Sequence, residues 1–451
     1  MTEKPNTLDV QRLIDDGPFT AYQWLVLVLC FLIVATDGFD TAAIGFLAPS
    51  IAQEWGIGKA ALGPVMSAAL LGLAVGALSS GPLADRLGRK KVLVGSVLIF
   101  GAFTLASAYS NSLEQLTLLR FLTGIGLGAA MPNATTLMSE YAPARKRSFV
   151  VNAMFCGFPI GASIGGAAAA LLIPSFGWRS VFIVGGVAPL VLSVLLLAMP
   201  ESLRFMVVRK WPAERIVRVL RRIAPVLALT SVQFVLTEEP NKGTGSAGAM
   251  VLSKRYRTGT VMLWVAFICS LVVYYMLTSW LPTLIRTSGF SVREASIVTA
   301  MFPLGGGIGA IIVGWLMDRY NAHRVISATY ILTGLFVWMI GRQFGNLPTM
   351  ALVTFIAGAC TGGGQASLPT LAAAFYPTGC RATGVAWMLG LGRIGAVAGA
   401  LAGGLMLEAN FSPSAILSSL AVPALLASFA VEVKRAGSNY ANLKELPSQI
   451  V

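Results

Sequence analysis

Charged residues are scarce in this chain. Asp, Glu, Lys and Arg make up 12% of its 451 residues, hydrophobic residues make up 56%, and mean hydropathy is +0.75. A soluble domain carries about a quarter charged residues, so the deficit excludes that class and leaves a polytopic membrane protein. Histidine occurs once, and Cys30, Cys156, Cys269, Cys360 and Cys380 are scattered without a CxxC pair. No disulfide framework or metal site is therefore expected. A nucleophile–base set and a phosphate loop are also missing, so an enzyme would have no machinery, and no cofactor is expected. Acidic residues number 19 against 33 basic ones, for a net charge of +14. Such a balance can point to nucleic acid, but its placement argues for topology instead.

Apolar segments of spanning length fall at about 24–48, 62–82, 92–110, 115–138, 148–173 and 178–199, then at about 259–285, 295–316, 324–343, 348–373, 383–407 and 412–433. The expected fold is an all-α membrane protein with twelve transmembrane helices in two six-helix bundles. Its expected parts are a 1–23 cytoplasmic N-terminal segment, a 24–199 bundle, a 200–257 cytoplasmic connector, a 258–433 bundle and a 434–451 cytoplasmic tail. Residues 1–22 hold Glu3, Asp9, Asp15 and Asp16, which do not suit the n-region of a signal peptide, so the first apolar run is expected to be a retained helix. With these spans, 26 of the 33 Lys and Arg fall in the termini and the loops on their side. Lys59, Arg179, Arg286, Arg293 and Arg342 lie on or near the other side, and Arg120 and Arg393 lie within helices. The positive-inside rule then puts both termini in the cytoplasm. The connector contains PAERIVRVLRRIAPVL, which predicts an amphipathic surface helix, and NKGTGSAGA, which predicts a flexible linker.

Two carboxylates, Asp37 and Asp40, stand three residues apart inside the first apolar run. A charge at the centre of a membrane helix costs about 2.5–3.5 kcal/mol on insertion scales, so such residues usually mark a proton or ion pathway. The alternative, that the helix ends early and both lie in a loop, conflicts with apolar sequence continuing to Leu47. An internal repeat supports two halves. Gly81-Pro-Leu-Ala-Asp85-Arg86-Leu-Gly88-Arg89-Lys90-Lys91 follows span two, and Gly314-Trp-Leu-Met-Asp318-Arg319-Tyr-Asn-Ala-His323-Arg324 follows span eight. Glu140-Tyr141-Ala-Pro143-Ala-Arg145 follows span four, and Phe375-Tyr376-Pro377-Thr-Gly-Cys-Arg381 follows span ten. A positive-inside loop alone would explain the cations, but not the recurrence of Asp85 and Asp318 at one spacing, which favours gating loops. Parallel repeats of six helices usually build a transporter.

GPLADRLGRKK and its weaker copy resemble the loop signature of the major facilitator superfamily, as do Arg120-Phe-Leu-Thr-Gly124-Ile-Gly126-Leu-Gly128 and the Pro200-Glu201-Ser202 that closes span six. Asp37-Gly38-Phe39-Asp40-Thr41 resembles the DGxD hallmark of aromatic acid:H+ symporters. The likeness is strongest to bacterial 4-hydroxybenzoate/protocatechuate permeases and runs through MPNATTLMSEY, LTSWLPTL, MDRYNAH and RATGVAWMLGLGRIGA. It implies proton-coupled uptake of an aromatic carboxylate across the bacterial inner membrane, with no nucleic-acid partner; it is compatible with a monomer and leaves the oligomeric state open. Import of another aromatic acid (benzoate, vanillate, gentisate or 3-hydroxybenzoate), or exchange or export, also stays open. By the same resemblance, the functional positions are Asp37, Asp40, Arg120, Glu140, Gly81, Asp85 and Arg89 in the first half. In the second half they are Asp318, His323, Arg381 and Arg393.

At 1.5 Å per residue, Asp37 lies about 20 Å along span one and Asp40 about 4.5 Å further. Span four runs the opposite way, which puts Arg120 at the depth of Asp40 and makes a pair between them feasible. Asp37 and Asp40 are the expected proton-coupling pair. Arg393, with Arg120, is expected to serve the substrate carboxylate or its polar network, since a guanidinium fork binds both oxygens; a permanent Arg–Asp brace between helices is the alternative. Phe155, Tyr274, Tyr275, Trp280, Phe302 and Trp387 are candidate ring contacts, with Asn133 and Gln365 for a ring hydroxyl, although ordinary helix packing is the simpler account of each. Gly124, Gly126 and Gly128 are expected to let helices pack closely, and Gly157-Phe-Pro159-Ile-Gly161 to mark a kink. His323 is open between a pH sensor and a solvated or gate-packing loop residue.

Overall fold

The protein is described by a computed structural model covering residues 6–143, 146–223, 232–235, 247–342, 346–376 and 378–444. Long helices dominate. In chain order they are α1 (Ala21–Trp55), α2 (Gly63–Leu87), α3 (Arg89–Ser107), α4 (Leu113–Tyr141), α5 (Arg147–Phe155 continued as Gly157–Phe176) and α6 (Arg179–Leu195). After the connector come α7 (Arg257–Thr287), α8 (Val292–Arg319), α9 (Ala322–Ile340), α10 (Leu347–Phe375), α11 (Thr378–Glu408) and α12 (Ala421–Lys444, preceded by the short helix Pro413–Ser419). Eleven stretches among the described residues are long and apolar enough to cross a membrane. The remaining long helix, α4, carries Arg120, Asn133 and Glu140, which dilute its hydropathy without shortening it. Large apolar side chains such as Leu78, Leu171, Ile311 and Phe429 are more than half exposed, as lipid-facing positions of a spanning helix are.

Several boundaries differ from the apolar runs. Helix α1 extends to Trp55, and α12 runs past residue 433 to Lys444. A helix in a bundle continues beyond the lipid while its backbone bonds are satisfied internally, so hydropathy marks the membrane-facing length and not the helix end. One short pairing departs from the all-α expectation: β1 (Asn6–Asp9) lies parallel to β2 (Val232–Val235), with Asn6 opposite Val232. In the connector, Ala213–Ile223 forms the expected amphipathic helix, burying Ile216, Leu220 and Ile223 and exposing Arg215, Arg218, Arg221 and Arg222. Residues 241–246 of the expected linker lie outside the described residues.

Compactness divides the chain into two units, and not at the centre of its sequence. Unit one comprises Met1–Asp40, Leu71–Gly161 and Phe182–Pro240; unit two comprises Thr41–Leu70, Ala162–Val181 and Asn241–Val451. In unit one, a continuous core runs from Val26, Cys30 and Ile33 of α1 through Val97, Leu127 and Met138 to Leu203, Met206 and Leu220 of the connector. Helices α1 and α5 meet there backbone to backbone: a Cβ on Gly38 would strike the carbonyl of Phe158, and one on Gly161 that of Ala35. Gly126 and Gly128 likewise face α3 and α2. In unit two, the α1 end opposite the termini packs with Gly45 on the backbone of Thr278 and Ser279 in α7. Ser163 Oγ of α5 is 3.3 Å from the Ala300 carbonyl of α8.

Gly161→Ala is expected to lower the stability of the purified protein by about 1–3 kcal/mol, the usual cost of overpacking where backbone cannot yield. Gly81→Ala, where an added Cβ meets nothing within 4 Å, should leave thermal unfolding close to wild type; equal losses in both would contradict the role of close backbone packing.

Candidate functional site

Both carboxylates of α1 are buried, Asp37 at 3% and Asp40 at 1% exposure, and Arg120 of α4 has no exposed surface. Arg120 Nη1 donates to Asp40 Oδ1 at 2.9 Å and Nη2 to Oδ2 at 2.6 Å, a bidentate pair. Thr104 of α3 adds its hydroxyl to Oδ1 at 2.9 Å, and the Phe182 ring of α6 lies 5.5 Å from the guanidinium carbon. Four helices thus converge on one neutral ion pair. Breaking it is expensive: removing one partner of a buried pair strands the other and costs about 3–5 kcal/mol. Thr104 and Phe182 carried no sequence signal, because a lone Thr or Phe in an apolar run is indistinguishable from core.

At the end of unit one nearest the termini, a second network joins α1, the α2–α3 turn, α4 and the connector. Gly88 makes the turn with φ +97°, a conformation that Gly adopts without penalty, and a Cβ there would run into the Glu201 carboxylate. Glu201 Oε1 accepts from the Lys90 amide at 3.0 Å and the Ser202 amide at 2.9 Å. It thereby places an anion at the α3 N-terminus, where the exposed N–H groups and the helix dipole favour one. Arg89 reaches Glu140 of α4 at 3.2 Å, and Ser202 Oγ donates to the same carboxylate. Tyr141 closes the network, donating to the Glu201 carbonyl at 2.6 Å while its own carbonyl accepts from Gln23 Nε2 at 2.7 Å. Of the expected gating residues, Gly81 and Arg86 are exposed, and the side chain of Asp85 lies outside the described residues. Glu201, visible in the sequence only as part of a Pro-Glu-Ser trait, is the hub.

In unit two, the repeat of that loop is built differently. Asp318 and Arg319 are exposed at the end of α8, and Arg319 stacks 4.1 Å over Trp315. His323 is half-buried, with its Nε2 at 2.9 Å from Nζ of Lys434 in α12. An ammonium can only donate, so the imidazole is neutral there, with its proton on Nδ1. Lys434 is itself buried and lies 4.5 Å from the Phe375 ring. This pairing favours a packed His323 over a solvated one. The Arg381 side chain lies outside the described residues.

Arg393 is half-buried in α11 and has no hydrogen-bond or ion-pair partner among the described residues. Also in unit two, Tyr274 packs against Tyr275 and Phe302 with ring centroids 5.6 and 5.5 Å apart, and the buried Gln365 Oε1 has no partner among the described residues. Trp387 is 38% exposed and lies 6.3 Å from Trp264. Trp280 is fully enclosed, donating its indole N–H to the Ala400 carbonyl at 2.7 Å, which is a packing arrangement. In unit one, Asn133 donates to Ala129 of its own helix at 2.8 Å, and Phe155 is 37% exposed.

Two outcomes are expected. Asp40→Asn and Arg120→Gln should each destabilise the purified protein by about 3–5 kcal/mol, with the double variant recovering part of the loss; additive losses would contradict a coupled pair. Gly88→Ala should lower stability, and Gly88→Ala combined with Glu201→Ala should restore part of it, because the clash is with that carboxylate.

The chain matches the Major Facilitator Superfamily over residues 30–295 and 263–445. It is 51% identical to the 4-hydroxybenzoate transporter PcaK of Pseudomonas putida, over 95% of this chain and 96% of that one. It is 45% identical to a gallate transporter of the same species, over 98% and 97%. Among solved structures it resembles a D-xylose–proton symporter with a TM-score of 0.69 at 15% identity, covering 91% of this chain and 97% of that one; the likeness is one of fold. The chain belongs to the Major Facilitator Superfamily and is a multi-pass membrane transporter.

Proposed function

We propose that the protein imports an aromatic carboxylate, 4-hydroxybenzoate and/or protocatechuate, together with protons across the bacterial inner membrane by alternating access, with both termini in the cytoplasm. Substrate class rests on the relatives at 45–51% identity over nearly the whole chain. Proton coupling rests on one observation: Asp37 is buried one helical turn from the bidentate Asp40–Arg120 pair.

That arrangement divides the two carboxylates by role. Protonating Asp40 would break a bidentate pair and leave the Arg120 charge buried alone, a cost of about 3–5 kcal/mol. Asp40 is therefore the fixed anion, and Asp37 is the group that gains and loses the proton. Arg393, a membrane cation without a carboxylate partner among the described residues, suits the substrate carboxylate. The orphaned Gln365 Oε1 suits a ring hydroxyl, and Tyr274, Tyr275 and Phe302 suit the ring. The network of Gly88, Arg89, Glu140 and Glu201 would serve as a latch that forms and breaks between states.

Energetics favour symport. A monovalent anion entering a cell that is negative inside works against about 2.3 kcal/mol per 100 mV, and one accompanying proton cancels that term.

Proteoliposomes holding the full chain should accumulate labelled 4-hydroxybenzoate when an inward pH gradient is imposed, with unlabelled protocatechuate competing more strongly than benzoate, vanillate or gentisate. Asp37→Asn should lose gradient-driven accumulation while still exchanging labelled for unlabelled substrate. Full accumulation by that variant would sink the proton assignment.

A further inference from the structure

On the face opposite the termini, two arginines of unit two behave differently. Arg179, at the start of α6, pairs with Glu54 and lies 4.4 Å over the Trp178 ring, so its charge is answered. Arg286, at the end of α7, donates from Nη2 to the neutral amide oxygen of Gln53 at 3.0 Å and has no carboxylate partner among the described residues. It borders a cavity of about 450 Å³, within the roughly 300–1,000 Å³ of small-molecule sites, which is also lined by Pro49, Gln53, Ile57, Gly289 and Phe290. Gly289 turns the chain with φ +101°, and Phe290 after it lines the same cavity as Arg286.

We infer that this cleft is a peripheral capture site for an aromatic carboxylate, separate from the polar groups inside the helices. The planar guanidinium offers a two-pronged match to a carboxylate. Phe290, Ile57 and Pro49 supply an apolar wall for a ring, and the volume leaves room for ring hydroxyls. Gln53 holds Arg286 in place while the cleft is empty. An arriving carboxylate makes a charge-assisted pair with Arg286, stronger than its bond to a neutral amide, and so displaces Gln53. Because Gln53 belongs to α1 and Arg286 to α7, this exchange of partners also removes a hydrogen bond linking the first and second sequence halves on that face. Capture and loosening are one event. The ligand class of the cleft rests on the function proposed above.

Equilibrium binding of labelled 4-hydroxybenzoate to the purified full chain tests this, alongside uptake kinetics at several ionic strengths. Wild type should bind two molecules per chain at saturation and Arg286→Gln one. In uptake, Arg286→Gln should raise KM by about fivefold or more, with Arg286→Lys in between, a split that reads binding apart from turnover. The wild-type KM should rise with salt, as a partly exposed cation screened over about 8 Å requires, and that dependence should flatten in Arg286→Gln. Gln53→Ala, which frees Arg286, should lower KM and guards against a folding artefact at Arg286. One site per chain in wild type, or an Arg286→Gln variant with unchanged KM and salt dependence, overturns the capture site while leaving aromatic-acid transport standing. Failure of wild type to bind or transport the acid overturns both.

Discussion

A carboxylate inside a membrane helix has to be answered, and in this protein the answer is Arg120. The pair it forms with Asp40 is neutral as a unit, so four helices can carry it at a depth where either charge alone would be expelled. Neighbouring helices of unit one hold that pair in place. Gly38 and Gly161 let α1 and α5 touch through their backbones, which fixes the rotation of α1 and hence the direction in which Asp40 points. Thr104 and Phe182 then fill the remaining sides. With Asp40 committed to Arg120, Asp37 is the carboxylate whose protonation leaves that pair intact.

The same logic, a charge held by a specific partner, recurs in both units with different materials. Near the termini of unit one it is a dense net of Arg89, Glu140, Glu201 and backbone amides. In unit two it includes the His323–Lys434 bond, in which the ammonium dictates the state of the ring. At Arg286 it is thinner still, an arginine held by one neutral amide. In our proposal the Asp40–Arg120 pair is permanent, whereas the Glu201 net and the Arg286 bond are exchangeable, as a carrier that must open on alternate sides requires.

How much of this was legible in the sequence depended on whether a feature lies along one helix or between several. The depth of Arg120 opposite Asp40 followed from residue counts and helix direction, and the amphipathic face of Ala213–Ile223 followed from the spacing of Ile216, Leu220 and Ile223. Glu201 was visible as a residue but not as a hub, since its partners Lys90 and Tyr141 are more than fifty positions away. Lys434 was assigned to a tail because hydropathy ends the last span at residue 433, whereas the helix continues and carries it inward to His323. Arg286 counted only as a cation on the less basic face; its neutral partner and its cleft are tertiary facts. Trp280 looked the same on paper as Tyr274, and only the packing separates them.

Transport by this protein turns, in our proposal, on Asp37 alone exchanging its proton while Asp40 stays ionised against Arg120. Infrared difference spectroscopy of the purified protein across a pH titration reads this directly, through the carbonyl stretch of a protonated buried carboxyl. A titrating band is expected in wild type that vanishes in Asp37→Asn and persists in the Asp40→Asn/Arg120→Gln double variant. A band that survives in Asp37→Asn and disappears in the double variant would contradict the assignment.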